Sequence, residues 1–191
     1  MVVLDPAHGG EDSGALLKSG QAEKTLALAF AYRLRSMLGA RGMQVVFTRE
    51  NDGTVGPDQR AETANRAQAQ ACLSVHFTET GTGVHLFAYD LSQSSSGQRF
   101  VPWKTAQSTW INRSLALTGR VNSTLQQAGV NVTLARIALP GLDSMACPAL
   151  AIEIAPEQSG QNAALDDPKY QARLAGALSA ALLAWRSEQH P

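Results

Sequence analysis

Short β-branched or apolar runs alternate with longer segments of helical rhythm along almost the whole chain, and that alternation restricts the fold more than any other feature. Val2 to Asp5 reads as a strand. Glu23 to Leu38 carries Leu26, Phe30, Leu34 and Leu38 on one helical face, and Gly39 and Gly42 punctuate its end. Gln44 to Thr48 is a second strand, and Asp58 is positioned to cap a helix over Gln59 to Ala69. Ala71 to Phe77 and Val84 to Tyr89 read as strands. A low-complexity stretch, "LSQSSSGQ", follows as a surface loop. Thr105 to Ala128 is a long amphipathic helix, Leu134 to Leu139 a weak strand, and "PALAIEI" a strong one. Asp167 caps a last helix from Pro168 to about Trp185. Such alternation predicts an α/β fold: a single domain, residues 1–191, built on a mixed, mostly parallel sheet flanked by helices.

Charge and length limit the function classes. Lys plus Arg and Asp plus Glu both number 16, so the basic excess expected of a nucleic-acid or membrane-surface binder is missing. No apolar stretch reaches the ~18 residues of a membrane span. The first residues read as a core strand rather than a leader peptide. Cys72 and Cys147 are too few for a disulfide scaffold. They read as small core residues; a bridge between them requires neighbouring strands with Cα atoms within ~7 Å.

The polar residues fall in a pattern. His8 follows the first strand in a Gly-rich turn, Glu23 opens the first helix, and His76 and Glu153 each stand near the end of an apolar strand. Singly, each has a bland explanation: a turn residue, a first-turn acid favoured by the helix dipole, a core histidine. Glu153 resists that treatment, because a carboxylate at the end of an apolar run is costly to bury without a partner. If the strands are parallel, all four meet at the carboxyl edge of the sheet, where open α/β sheets bind ligands. Two imidazoles and one carboxylate make a catalytic zinc set with one corner left for water. The remaining glutamate would move protons; spacing leaves open which of the two that is. "HGGEDSG" lacks the Lys-Ser/Thr ending of a phosphate-binding P-loop. His85 alternates with buried positions and reads as a surface or groove residue rather than a ligand. Cys72 and Cys147 lie at the opposite ends of their strands, Cys72 roughly 13 Å from His76 at ~3.3 Å per residue. His190, in the terminal tail, is given no role.

Taken together, "VVLDPAHGG", the "EK" that opens a helix, "TRENDGTVGPDQRAETAN", "SVH" and "ALAIEI" resemble the zinc-dependent N-acetylmuramoyl-L-alanine amidases of the amidase-3 type, in order and over nearly the whole chain. The resemblance implies about six strands and one bound Zn2+ held by His8, Glu23 and His76. It makes Glu153 the catalytic acid/base. It implies hydrolysis of the amide between N-acetylmuramic acid and L-alanine in peptidoglycan, and an extracytoplasmic bacterial setting. Arg60 and Asn65 match the family's "R…AN" segment as structural residues, Arg60 with a carboxylate partner. The chain departs from the family at Ala7, at Phe77-Thr78 and at Ile154-Ala155-Pro156, and these changes are expected to alter the walls of the site. Hydrolysis of another amide or short peptide, and a catalytically weak wall-binding scaffold, remain the alternatives. The partner expected is the peptidoglycan glycan-peptide itself, with no signature of a protein activator among these residues. The aromatic-bearing loop with Phe100 and Trp103 reads either as a solvated connection or as a grip on a glycan, and exposure of the two rings at the cleft would favour the second.

Overall fold

The computed structural model describes residues 1–90, 103–158 and 165–188. Among these residues six strands form one sheet in the order β2-β1-β3-β6-β4-β5. They are β1 (Val2–Pro6), β2 (Val45–Phe47), β3 (Ala71–Phe77), β4 (Val84–Tyr89), β5 (Val132–Ile137) and β6 (Ala149–Ile154). Among the described residues four α-helices accompany them: α1 (Glu23–Gly39), α2 (Pro57–Ala67), α3 (Gln107–Gln127) and α4 (Pro168–Glu188). β2, β1, β3 and β6 run parallel; β4 is antiparallel to β6, and β5 runs parallel to β4. The mostly parallel sheet flanked by helices is thus as expected, with the last two strands reversed. Among the described residues no helix is long and apolar enough to cross a membrane.

Strand alternation sorts the core into two layers. Leu4, Leu73, Phe77, Ile152, Leu86 and their neighbours point to one face, under Phe30 and Leu34 of α1, Leu117 and Val121 of α3, and Leu174 and Leu178 of α4. The other face is thinner. Val3, Cys72, Ala149 and Ala151 meet Ala61 and Ala64 of α2 and the short 3₁₀ turn Leu142–Ser144. Small side chains let α2 lie close, and they fill only the half of this face away from the carboxyl ends.

Several local expectations shift. α2 starts at Pro57 with Gly56 as its N-cap, not at Gln59 with Asp58 as cap. Proline suits the first helical position because it has no N–H to leave unsatisfied, and Gln59 Oε1 accepts the Gly56 N–H at 3.0 Å. β5 begins two residues earlier than expected, because its register against β4 pairs Val84 with Val132. Asp167 does cap α4, its Oδ1 accepting the Lys169 N–H at 3.1 Å. The cysteines are fully buried and form a disulfide with Cα atoms 6.2 Å apart, tying β3 to the segment entering β6. The "LSQSSSGQ" loop, Phe100 and His190 lie outside the described residues.

Candidate metal centre

β1 ends in a turn whose backbone leaves the sheet, so its carbonyl groups need partners. Two buried arginines supply them. Arg49 donates to the carbonyls of Pro6 at 2.9 Å and Ala7 at 2.8 Å. Arg60 donates to Pro6 at 2.8 Å and to His8 at 2.6 Å. The carboxylate expected beside Arg60 is Asp5, 2.6 Å away; Asp5 also accepts from Thr48 at 2.5 Å and Ser74 at 2.8 Å. This clamp holds His8 at φ 59°, a left-handed conformation that non-glycine residues adopt at a cost of roughly 1–2 kcal/mol. Asn65 works as a strut, taking the Ala146 N–H and donating to the Ser144 carbonyl.

The clamp aims the imidazole. His8 Nε2 lies 3.1 Å from Glu23 Oε1, and His8 Nδ1 lies 2.8 Å from Asp12 Oδ2. A carboxylate behind a ring nitrogen is the usual device that fixes a ligand histidine's tautomer and orientation. Gly14 packs against both groups: a Cβ there would come within 2.6 Å of the His8 ring and 2.7 Å of Glu23 Oε2. His76, on β3, brings Nδ1 to 3.1 Å from the same Glu23 Oε1. Glu23 is itself anchored by the N–H groups of Ala15 at 3.0 Å and Phe77 at 3.1 Å. One ligand atom from each of His8, Glu23 and His76 lies within 4.8 Å of the others. Bonds of 2.0–2.1 Å at tetrahedral angles put ligand atoms roughly 3.3 Å apart, so the 3.1 Å separations of Glu23 Oε1 from each imidazole are of the size that a shared zinc-sized cation requires.

Electrostatics agree with that donor set. Burial by itself would raise the Glu23 pKa. The hydrogen bonds from His76, His8 and the two backbone N–H groups outweigh it and hold the carboxyl well below the usual carboxylate range. Glu23 is therefore ionised at neutral pH, as a ligand must be. The His8 pKa is raised, chiefly by its hydrogen bond to Glu23, with burial opposing and Asp12 assisting.

Glu153 pairs in register with His76 across the β3–β6 ladder, so their side chains stand side by side on the thin face. Its carboxylate turns to a partner that the sequence reading passed over: His85 Nδ1 lies 2.7 Å from Glu153 Oε2. The reading of His85 as a surface or groove residue gave no hint of this pairing. Asp12 and Arg49 were also passed over. Asp12 had a usable signal, a carboxylate four residues after a turn histidine.

Beside the cluster is a cavity of about 250 Å³ with His8, His76, Asp12 and Arg60 on one side and apolar Leu139 and Leu142 on another. Ala7 lines this cavity and so does alter its wall, as expected. Phe77 and Ile154 do not: both are buried in the three-helix core, Phe77 edge-on to Phe30 at 5.9 Å. Strand alternation turns them away from the site. Trp103 is 51% exposed and lines a separate shallow groove with Asp58, Glu62 and Arg66 of α2.

A family model described as N-acetylmuramoyl-L-alanine amidase matches residues 2–184. AmiA of Escherichia coli (strain K12), an N-acetylmuramoyl-L-alanine amidase, is 37% identical over 100 residues, covering 50% of this chain and 35% of AmiA. The chain thus spans about a third of the length of the first curated relatives it matches, at 35% each. Among solved structures, the amidase AmiC2 of Nostoc punctiforme is 26% identical with a TM-score of 0.76, over 97% of this chain and 96% of that one. Ami1 from Mycobacterium smegmatis, 21% identical, shares the fold with a TM-score of 0.79 over 98% of this chain and 96% of its own.

Proposed function

The chain belongs to the N-acetylmuramoyl-L-alanine amidase family, and from that premise we propose that it is a single catalytic domain that hydrolyses the amide between N-acetylmuramic acid and L-alanine in peptidoglycan, with zinc held by His8, Glu23 and His76. The observation that carries this reading is the meeting of those three donors with Glu153 on the adjacent strand. Peptidoglycan lies outside the cytoplasmic membrane, so the substrate assigns the chain an extracytoplasmic place of work.

Zinc, when bound, supplies Lewis acidity to the scissile carbonyl and lowers the pKa of water. The protein supplies the rest. Asp12 and Ser74 orient the two imidazoles from behind, and the N–H groups of Ala15 and Phe77 keep Glu23 ionised. Glu153 Oε2 is engaged by His85, which leaves Oε1 to receive the proton of the attacking water. The same carboxyl then passes that proton to the departing alanine nitrogen, which cannot leave as an amide anion. General acid–base help of this kind is typically worth 10²–10⁴-fold.

The test is metal content beside dye release from labelled sacculi, with and without chelator. Glu153→Gln is expected to keep zinc and lose about 10²–10⁴-fold in turnover, whereas His8→Ala and His76→Ala lose both. A Glu153→Gln protein with full turnover overturns the acid/base role. Full activity in the His variants, or after zinc removal, overturns the metal site.

A further inference from the structure

We propose that His85 is a positioning residue for the catalytic carboxylate: its Nδ1–H grips Glu153 Oε2 and holds Oε1 in place for proton transfer. The inference rests on the acid/base role of Glu153 proposed above and extends it to a residue of a different strand.

Three observations carry it. First, the sheet register makes His76, Glu153 and His85 one continuous row, His76 paired with Glu153 and Glu153 with His85. All three therefore project from the same face. Second, the 2.7 Å contact falls in the range of charge-assisted hydrogen bonds, and among the described residues it is the hydrogen bond that the Glu153 side chain makes. An ionised carboxylate only accepts, so the ring nitrogen facing it carries the proton. Third, the His85 ring is itself confined. Gly81, at φ +78°, packs so close that a Cβ there would lie 2.7 Å from both Cε1 and Nε2. Phe87 stands nearly perpendicular to the ring, at 83° and 6.5 Å between centroids.

The backbone under His85 is equally fixed. The segment joining β3 to β4 passes over the end of β6 and is bound to it by Gly83 N–H to the Pro156 carbonyl at 2.8 Å and Ala155 N–H to the Gly83 carbonyl at 2.9 Å. A glutamate side chain has three soft torsions. Anchoring one of its oxygens through a confined ring removes that freedom before substrate arrives, which is where misplacement of about 1 Å costs roughly 10²-fold in rate.

The experiment compares His85→Ala, His85→Asn and Glu153→Gln in the zinc-loaded protein, on a soluble muropeptide whose kcat and KM can be separated. His85→Ala is expected to lower kcat about 10- to 100-fold with KM within about twofold, and with zinc content and melting temperature unchanged. His85→Asn, whose amide N–H reaches the position of Nδ1, is expected to recover most of the loss. Wild-type kcat in His85→Ala beside an inactive Glu153→Gln overturns the inference and leaves the Glu153 role standing. Loss of zinc in His85→Ala, or no rescue by asparagine, also overturns it. A fully active Glu153→Gln overturns the parent reading instead.

Discussion

On one face of the sheet Leu4, Leu73, Ile152 and Leu86 lie beneath three helices, and every one of them is fully buried. On the other face the same four strands present Asp5, then Ser74 and His76, then Glu153, then His85, with one short helix covering only part of them. Neighbouring residues in the chain therefore do unlike work. The three-helix face stabilises the fold, because apolar area leaving water contributes roughly 25 cal/mol per Å². The thin face gives up burial and gains an open carboxyl edge where charged side chains can be held by other polar groups. A domain of this size can accommodate both because one large core suffices to hold the strands in register.

Substitutions can break or sharpen that contrast. The widest gap is expected from Glu153→Gln, which should abolish most turnover while leaving the melting temperature unchanged; a large loss of stability would show that the thin face also supports the fold. Phe30→Ala, in the three-helix core, should do the reverse: a loss of about 3–5 kcal/mol in urea unfolding, with zinc still bound by the folded fraction. Removing the disulfide as Cys72→Ala with Cys147→Ala tests whether the thin face contributes by cross-linking instead of burial. It closes a sequence separation of 75 residues, and its loss should cost about 2–4 kcal/mol, read as a lower urea midpoint in the double variant.

The smallest effect is expected at Asp143, in the 3₁₀ turn of the thin face. Burial, with Asp90 nearby, pushes its carboxyl up to about 6, and its Oδ1 is buried without a hydrogen-bond partner among the described residues. In the unfolded chain this group releases its proton near the ordinary value of 3.8, so between there and about 6 the folded state binds more protons. Stability contributed by the neutral form is present at the acid end of that window and is lost as pH rises through it. Asp143→Asn should therefore stabilise by less than about 1 kcal/mol at pH 7, since the group is partly solvated, and leave stability at pH 4 unchanged. Thermal melts at the two pH values check the sign; an equal gain at both would tie the effect to packing.

Much of this was legible in the residues alone. Periodicity located the strands and helices because a half-buried strand or helix must repeat its apolar positions at its own pitch. The ends of the elements were less legible: at α2 the proline outweighed the aspartate as a start signal, and at β5 the partner strand set the register. The ligand candidates were visible because histidines and carboxylates at strand ends and a helix start are dear to maintain there without a use.

Chain order alone determined the α/β layering and the convergence of His8, Glu23, His76 and Glu153 on one edge, since parallel strands put their carboxyl ends together. Tertiary structure decided the rest. His85 stands at the beginning of its strand, so in a parallel sheet it would lie at the far edge; only the reversal of β4 against β6 brings it to Glu153. The disulfide and the two-arginine clamp are likewise contacts between segments distant in sequence. No local pattern encodes them, because each depends on which strands become neighbours and in which direction they run.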